Sequence, residues 1–143
     1  VEIKLPETSP VAGRSVREAV NYLEHYGVVR DPDQPVEPRH SWNSNKRLSN
    51  VVLFNLARHS HHHAEGDAQF WQLRSYPEAP MLPYGYLTSM LLVYLVPGWY
   101  RNRMSPLLLE WDRHYANAGE RRLAAAANRA SGVPALQLAA QGY

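Results

Sequence analysis

The chain has 143 residues, room for one domain of ordinary size, and its 45% hydrophobic and 20% charged residues are a normal globular balance. A formal charge of +2 gives nucleic-acid binding no electrostatic support. The lack of cysteine excludes disulfides, zinc–thiolate sites and iron–sulfur ligation by this chain, so any metal here is held by nitrogen and oxygen.

Residues 1–14 read as a leader of uncertain structure. Glu2, Lys4 and Glu7 with Pro6 and Pro10 form no apolar signal segment, and Gly13 adds a further breaker. Ser15-Val16-Arg17-Glu18 fits a capping box with Ser15 as N-cap. The helix it starts runs through Val20 and Leu23, and Gly27 stops it. Asp31 to Arg39, with Pro32, Pro35 and Pro38, is a surface loop, and His40 to Asn45 offers several capping side chains. A second helix is predicted from about Arg47 to near Gly66, with Leu48, Val52, Asn55, His59 and His62 on one stripe.

Tyr76 to Tyr86, holding Pro77, Pro80, Pro83 and Gly85, is a stiff connection. A third helix follows to Val96, where Pro97 ends it. No run of about 18 apolar residues exists, so nothing spans a bilayer by itself. The third helix has the length of a buried helix or of one lying at a membrane surface. Ser105-Pro106 is predicted to start a fourth helix, with Pro106 at its first position, and a last helix runs from about Glu120 to Arg129. Residues 131–143 read as a frayed tail. The fold class is mostly α, with helices joined by long Pro-rich loops and one main region at 15–130.

Chemistry concentrates in His59-Ser60-His61-His62-His63. His59, His62 and His63 stand at i, i+3 and i+4, so on a helix their imidazoles share one face, as a borderline transition metal requires. His61 points about 200 degrees from His59 and is not expected to join them. His25 is a further candidate, in the last turn of the first helix. His40 reads as a loop or capping residue as readily as a ligand, and His114 as ordinary surface.

Asn21-Tyr22-Leu23-Glu24-His25-Tyr26-Gly27 resembles a signature of the integral-membrane alkane 1-monooxygenases, in the fatty acid desaturase and hydroxylase superfamily. Asn55-Leu56-Ala57-Arg58-His59-Ser60-His61-His62-His63-Ala64 resembles their third histidine box. His40 to Asn45 and Leu82-Pro83-Tyr84-Gly85-Tyr86 fit as well. The resemblance runs from Arg17 to Met104 and weakens towards Asn128. A His-x-x-His-His box alone also suits desaturases and other hydroxylases.

The resemblance implies an all-histidine di-iron site beneath six membrane helices, at the cytoplasmic face of the bacterial inner membrane. It implies insertion of one atom of dioxygen at the terminal methyl of an alkane, an activity of lipid metabolism, with electrons from rubredoxin. Carried over, His25, His59, His62 and His63 are iron ligands, and Asn21, Glu24, Asn55 and Arg58 orient imidazoles from behind. The chain then corresponds to the C-terminal, metal-capping part of such an enzyme. The first two histidine boxes and the membrane helices are expected in a missing N-terminal part. The family's usual aspartate in the third box is His61 here. A non-catalytic remnant with weak metal binding, or a fragment of a related desaturase or hydroxylase, is the alternative. The apolar positions Val16, Val20 and Leu23, and those from Leu87 to Val96, are expected to lack the bundle they would pack against.

Overall fold

The computed structural model describes residues 11–76 and 78–142. Residues 1–10 of the expected leader, Pro77 of the connection and Tyr143 of the tail lie outside the described residues. Among those described there are seven α-helices and no strand beyond a two-residue parallel pairing of Asn43 with Met81. No helix among the described residues is long and apolar enough to cross a membrane.

Helix α1 covers Val11–His25. It begins four residues before Ser15, so the capping box expected there is corrected: Ser15 lies inside the helix. Gly27 ends α1 with φ +68°, a left-handed conformation that a side chain would strain. A Cβ at Gly27 would also lie 2.6 Å from Leu108 Cδ2, so that side chain would have to shift. Leu23, expected to lack a packing partner, is instead fully buried in the core, with Val20 packed against it. The Val16 side chain lies outside what is described.

The predicted second helix is two. Helix α2 covers Arg47–Val52 and α3 covers His59–Ala64. Phe54 and Asn55 lie between them at φ 49° and 62°. Asparagine tolerates this region better than other non-glycine residues, and two successive left-handed residues cannot continue a right-handed helix. The continuous stripe from Leu48 to His62 therefore does not exist. The break lets the Ala57 carbonyl accept from Ser44 N–H at 2.8 Å, with Ala57 buried.

Helix α4, Tyr86–Leu95, and α5, Pro97–His114, meet at Val96. Pro97 both ends α4 and opens α5 at its first turn, where its missing N–H costs nothing. The predicted start at Ser105-Pro106 is overturned: Pro106 lies inside α5. An internal proline costs about 3 kcal/mol. Burying Tyr100, Met104, Leu108 and Trp111, spaced on one face of α5, offsets it at about 1.5–3 kcal/mol each. The Ser105 hydroxyl also donates to the Arg101 carbonyl at 2.8 Å.

Helix α6, Ala118–Ala130, is capped by Asn117, whose Oδ1 accepts from Glu120 N–H at 2.9 Å while Glu120 Oε2 accepts from Asn117 N–H at 2.9 Å. The expected frayed tail folds. Helix α7 covers Pro134–Ala139 and a 3₁₀ turn covers Ala140–Gly142. Val133 and Leu136 join the main core cluster, with Ala140 fully buried. Composition alone hides this, because only two apolar side chains carry the docking. The core as a whole sits between α1, α4 and α5, with Trp42, Tyr86 and Trp111 at its centre.

Candidate metal centre

Helix α1 delivers His25 at its last turn, and α3 delivers His59 and His63 at its first and second turns. One ring nitrogen from each of these three lies within 4.8 Å of the other two. The ring centroids are 5.3 Å apart for His25 and His59, 5.4 Å for His25 and His63, and 4.3 Å for His59 and His63. His62 stands beside them, its ring 5.7 Å from that of His59 and 6.2 Å from that of His63, but its nitrogens are not in the three-nitrogen cluster. His61 faces away, its ring 5.5 Å from Tyr76 and its Nε2 3.8 Å from Glu65.

The loop after α1 anchors both helices. His25 Nδ1–H donates to the His40 carbonyl at 3.0 Å, which leaves Nε2 for another partner. Ser60, fully buried between His59 and His61, ties α3 to the same loop. Its N–H donates to Asn43 Oδ1 at 2.8 Å, its hydroxyl donates to the Pro38 carbonyl, and it accepts from Asn43 Nδ2 at 2.6 Å. Trp42 N–H donates to the Glu24 carbonyl at 2.7 Å, and Tyr86 OH to the Trp42 carbonyl at 2.6 Å.

Electrostatics keep the His59 and His63 imidazoles neutral. Burial, then the adjacent rings of His63, His25 and His62, lower the His59 pKa to about 2. Burial and its imidazole neighbours lower His63 to about 4. Burial alone raises the Glu24 carboxyl to about 8. Glu24 Oε1 is 3.2 Å from His59 Nδ1, off the line of a hydrogen bond, so that nitrogen has no partner. His63 Nε2 is likewise buried without one. Orphaned nitrogens are costly in a protein interior, and a cation is a partner that satisfies several at once. The donor set fits iron, and imidazole also suits zinc, copper and nickel.

The remaining sequence-derived positions are placed less centrally. Asn21 is exposed on α1. Asn55 Nδ2 donates to the Phe70 carbonyl at 3.1 Å, and Arg58 Nη1 to the Leu73 carbonyl at 2.6 Å. Both hydrogen bonds brace the 70–73 segment; neither reaches an imidazole. His40 is a capping residue: its Nδ1 accepts from Glu37 N–H at 2.8 Å and its Nε2–H donates to Glu120 Oε1 at 2.7 Å. With both nitrogens engaged it has none for a metal. His114 is exposed. The link from His40 to Glu120 was not read from the sequence. The Asn117-x-x-Glu120 cap was its local trace, and nothing local reveals the tertiary partner.

The profile of the family described as "Fatty acid desaturase" matches residues 9–90. The chain is 37% identical over 126 residues to the xylene/toluene monooxygenase hydroxylase component of Pseudomonas putida, covering 88% of this chain and 34% of that protein. It is 42% identical over 98 residues to the alkane 1-monooxygenase of Ectopseudomonas oleovorans, covering 65% of this chain and 24% of that protein. Alkane 1-monooxygenase 2 of Alcanivorax borkumensis is 46% identical over 94 residues, covering 62% and 24%. The chain thus spans between a quarter and a third of the length of these relatives.

Proposed function

Because the chain belongs to the fatty acid desaturase family and is of the alkane-monooxygenase type within it, we propose that it is the metal-capping part of a hydrocarbon hydroxylase. The reaction is terminal hydroxylation of an alkane with dioxygen. The observation that carries the reading is the convergence of His25, His59 and His63 from two helices, with buried nitrogens that nothing else satisfies. These three, with His62 alongside, are the iron ligands in this proposal. Glu24 lies beside His59, and the His40 carbonyl backs His25. When bound, iron supplies the activation of dioxygen. The chain's own residues hold the imidazoles in place through the loop after α1. Two irons need more donors than these histidines offer, so the other ligands come from an upstream part of the enzyme.

Membrane contact is supported by exposed apolar side chains where α4 meets α5. Leu91, Tyr94, Leu95, Val96 and Trp99 present a patch of the kind that marks an interaction surface. In the proposal this patch meets the membrane helices or lipid at the cytoplasmic face of the bacterial inner membrane. Electrons arrive from rubredoxin. Arg121, Arg122 and Arg129 line one recess of about 430 Å³ on α6, and Arg101 and Arg103 are exposed on α5, a surface suited to an acidic protein.

The test uses the complete enzyme carrying this segment, in membranes, with octane, dioxygen, rubredoxin and its reductase. His62→Ala is expected to lose iron and 1-octanol formation together, while His61→Ala has a far milder effect. Retained iron and activity in His62→Ala would sink the ligand assignment. Rubredoxin-dependent turnover should slow as salt rises, because exposed charges are screened. Oxygenation of a xylene or toluene is the second reading, favoured by the long match to the Pseudomonas putida relative. Xylene in the same assay separates the two.

A further inference from the structure

The 3₁₀ turn Pro38–His40 lies between the two helices that carry the histidine cluster. On one side its last carbonyl, that of His40, accepts from His25 Nδ1. On the other its first carbonyl, that of Pro38, accepts from the Ser60 hydroxyl of α3. A shift of this turn moves both sets of imidazoles. Its own position is fixed from the far end of the chain. His40 Nε2–H donates to Glu120 Oε1 at 2.7 Å, and Arg39 reaches both Glu120 oxygens at 3.3 Å. Trp111 Nε1–H of α5 donates to the Arg39 carbonyl at 2.7 Å. Glu120 is fully buried although it carries a carboxylate, a placement that costs free energy unless every acceptor site is filled. Here a guanidinium, an imidazole and the Asn117 N–H fill them.

A helix cap alone does not need this. Asn117 already caps α6, and an exposed glutamate would close the same capping box. The tertiary partners are the two residues of the turn that holds His25. We propose that Glu120 is a positioning residue for the metal centre: it fixes His40, whose backbone carbonyl sets the tautomer and orientation of the His25 ring. Glu120 lies outside the residues 9–90 matched by the family profile, so the control of the site extends beyond the segment that carries the histidines. The inference rests on the metal-centre reading for its consequence, and on hydrogen bonds within this chain for its mechanism.

The test has two readouts on the full chain held in mild detergent. The first is the ¹⁵N shift pair of the His25 ring without metal, which reports whether Nδ1 carries the proton. The wild-type ring is expected in the Nδ1–H form, and Glu120→Ala should shift it towards a mixture of tautomers. The second is Co²⁺ affinity from its visible absorption. Glu120→Ala should weaken it about tenfold, the lower range for loss of an outer partner of a metal-bound histidine. Asn117→Ala, which loses the cap but leaves Glu120 on His40, separates stability from positioning. It should lower the melting temperature yet keep the tautomer and the Co²⁺ affinity.

If Glu120→Ala does not fold, Glu120→Gln takes its place. It keeps the volume and one acceptor for His40 but loses the charge, and should weaken Co²⁺ by less than the alanine variant's roughly tenfold. A wild-type tautomer and affinity in the folded glutamate variant would overturn the proposal, as would equal losses in Asn117→Ala. A wild-type chain that binds no Co²⁺ would sink the metal-centre reading instead. The tautomer comparison would then still decide whether Glu120 positions His25.

Discussion

Removal of one buried hydroxyl, in Ser60→Ala, should be felt as two orphaned groups, the Pro38 carbonyl and the buried Ser41 hydroxyl that pairs with Ser60 Oγ at 3.2 Å. The Ser60 hydroxyl donates to the Pro38 carbonyl and accepts from Asn43 Nδ2. Asn43 Nδ2 keeps two other acceptors, the Ser41 carbonyl at 2.9 Å and the Pro80 carbonyl at 3.2 Å, so it remains satisfied without Ser60. The Pro38 carbonyl loses its donor in a place where Ser60 itself is fully buried. An unsatisfied buried group costs about 1–3 kcal/mol, so the two together cost about 2–6 kcal/mol. Each kcal/mol lowers the melting temperature of a chain of this size by roughly 3–5 °C, so the expected drop is roughly 6–30 °C with a centre near 16 °C. Thermal unfolding followed by circular dichroism measures it. Ser75→Ala is the control: that hydroxyl accepts from Asn45 Nδ2 at 2.6 Å, but at an exposed place where water substitutes. A Ser60→Ala chain that melts with the wild type would refute the claim that this hydroxyl clamps α3 to the loop, and with it the account of how His59 and His63 are held.

Two further outcomes follow from the fold. Leu136→Ala should cost about 2–5 kcal/mol in urea unfolding, as core leucine truncations do, while Leu138→Ala, 70% exposed on the same short helix, should stay within about 0.5 kcal/mol. Equal small effects would mean that α7 does not dock. Burial works against the ionised form of Glu120, but the Asn117 N–H, the His40 ring and the Arg39 guanidinium outweigh it and hold its pKa below the usual carboxylate range. A lowered carboxylate contributes stability above pH about 4.5 that is lost as pH falls through the folded value. The stability gap between wild type and Glu120→Gln should therefore be full at pH 7 and shrink below about pH 4.5; a gap that widens in acid would reverse the sign of the argument.

The histidine motif was legible because its spacing carries the geometry. His59 and His63 lie one turn apart on any helix, so α3 needed only six residues to bring them together. The rest of the predicted long helix failed because a hydrophobic stripe says nothing of left-handed residues at Phe54 and Asn55. The polar capping segment His40 to Asn45 was recognised as capping, but its bonds run to Glu120, Ser60 and Pro80, and tertiary partners leave no periodic mark. Pro97 follows an apolar run and Pro106 follows a serine, yet Pro97 opens a helix and Pro106 lies inside it. Only the burial of Met104 and Leu108 on either side of Pro106 decides that one starts a helix and the other is absorbed by it.

The distance along the chain between His40 and Glu120 also sets an order of events during synthesis. The turn that receives His25 is locked by a residue 80 positions later, and by Trp111, 72 positions after Arg39. At about 5–20 residues per second a ribosome needs on the order of ten seconds to cover that gap. Once α3 has been made, the imidazoles of α1 and α3 wait out the rest of that interval without this anchor. A metal captured then would meet a loose, partly formed set of ligands open to any available divalent ion. On the proposed reading, a well-ordered ligand set waits for α6, so a late part of the chain times the assembly of the earlier one.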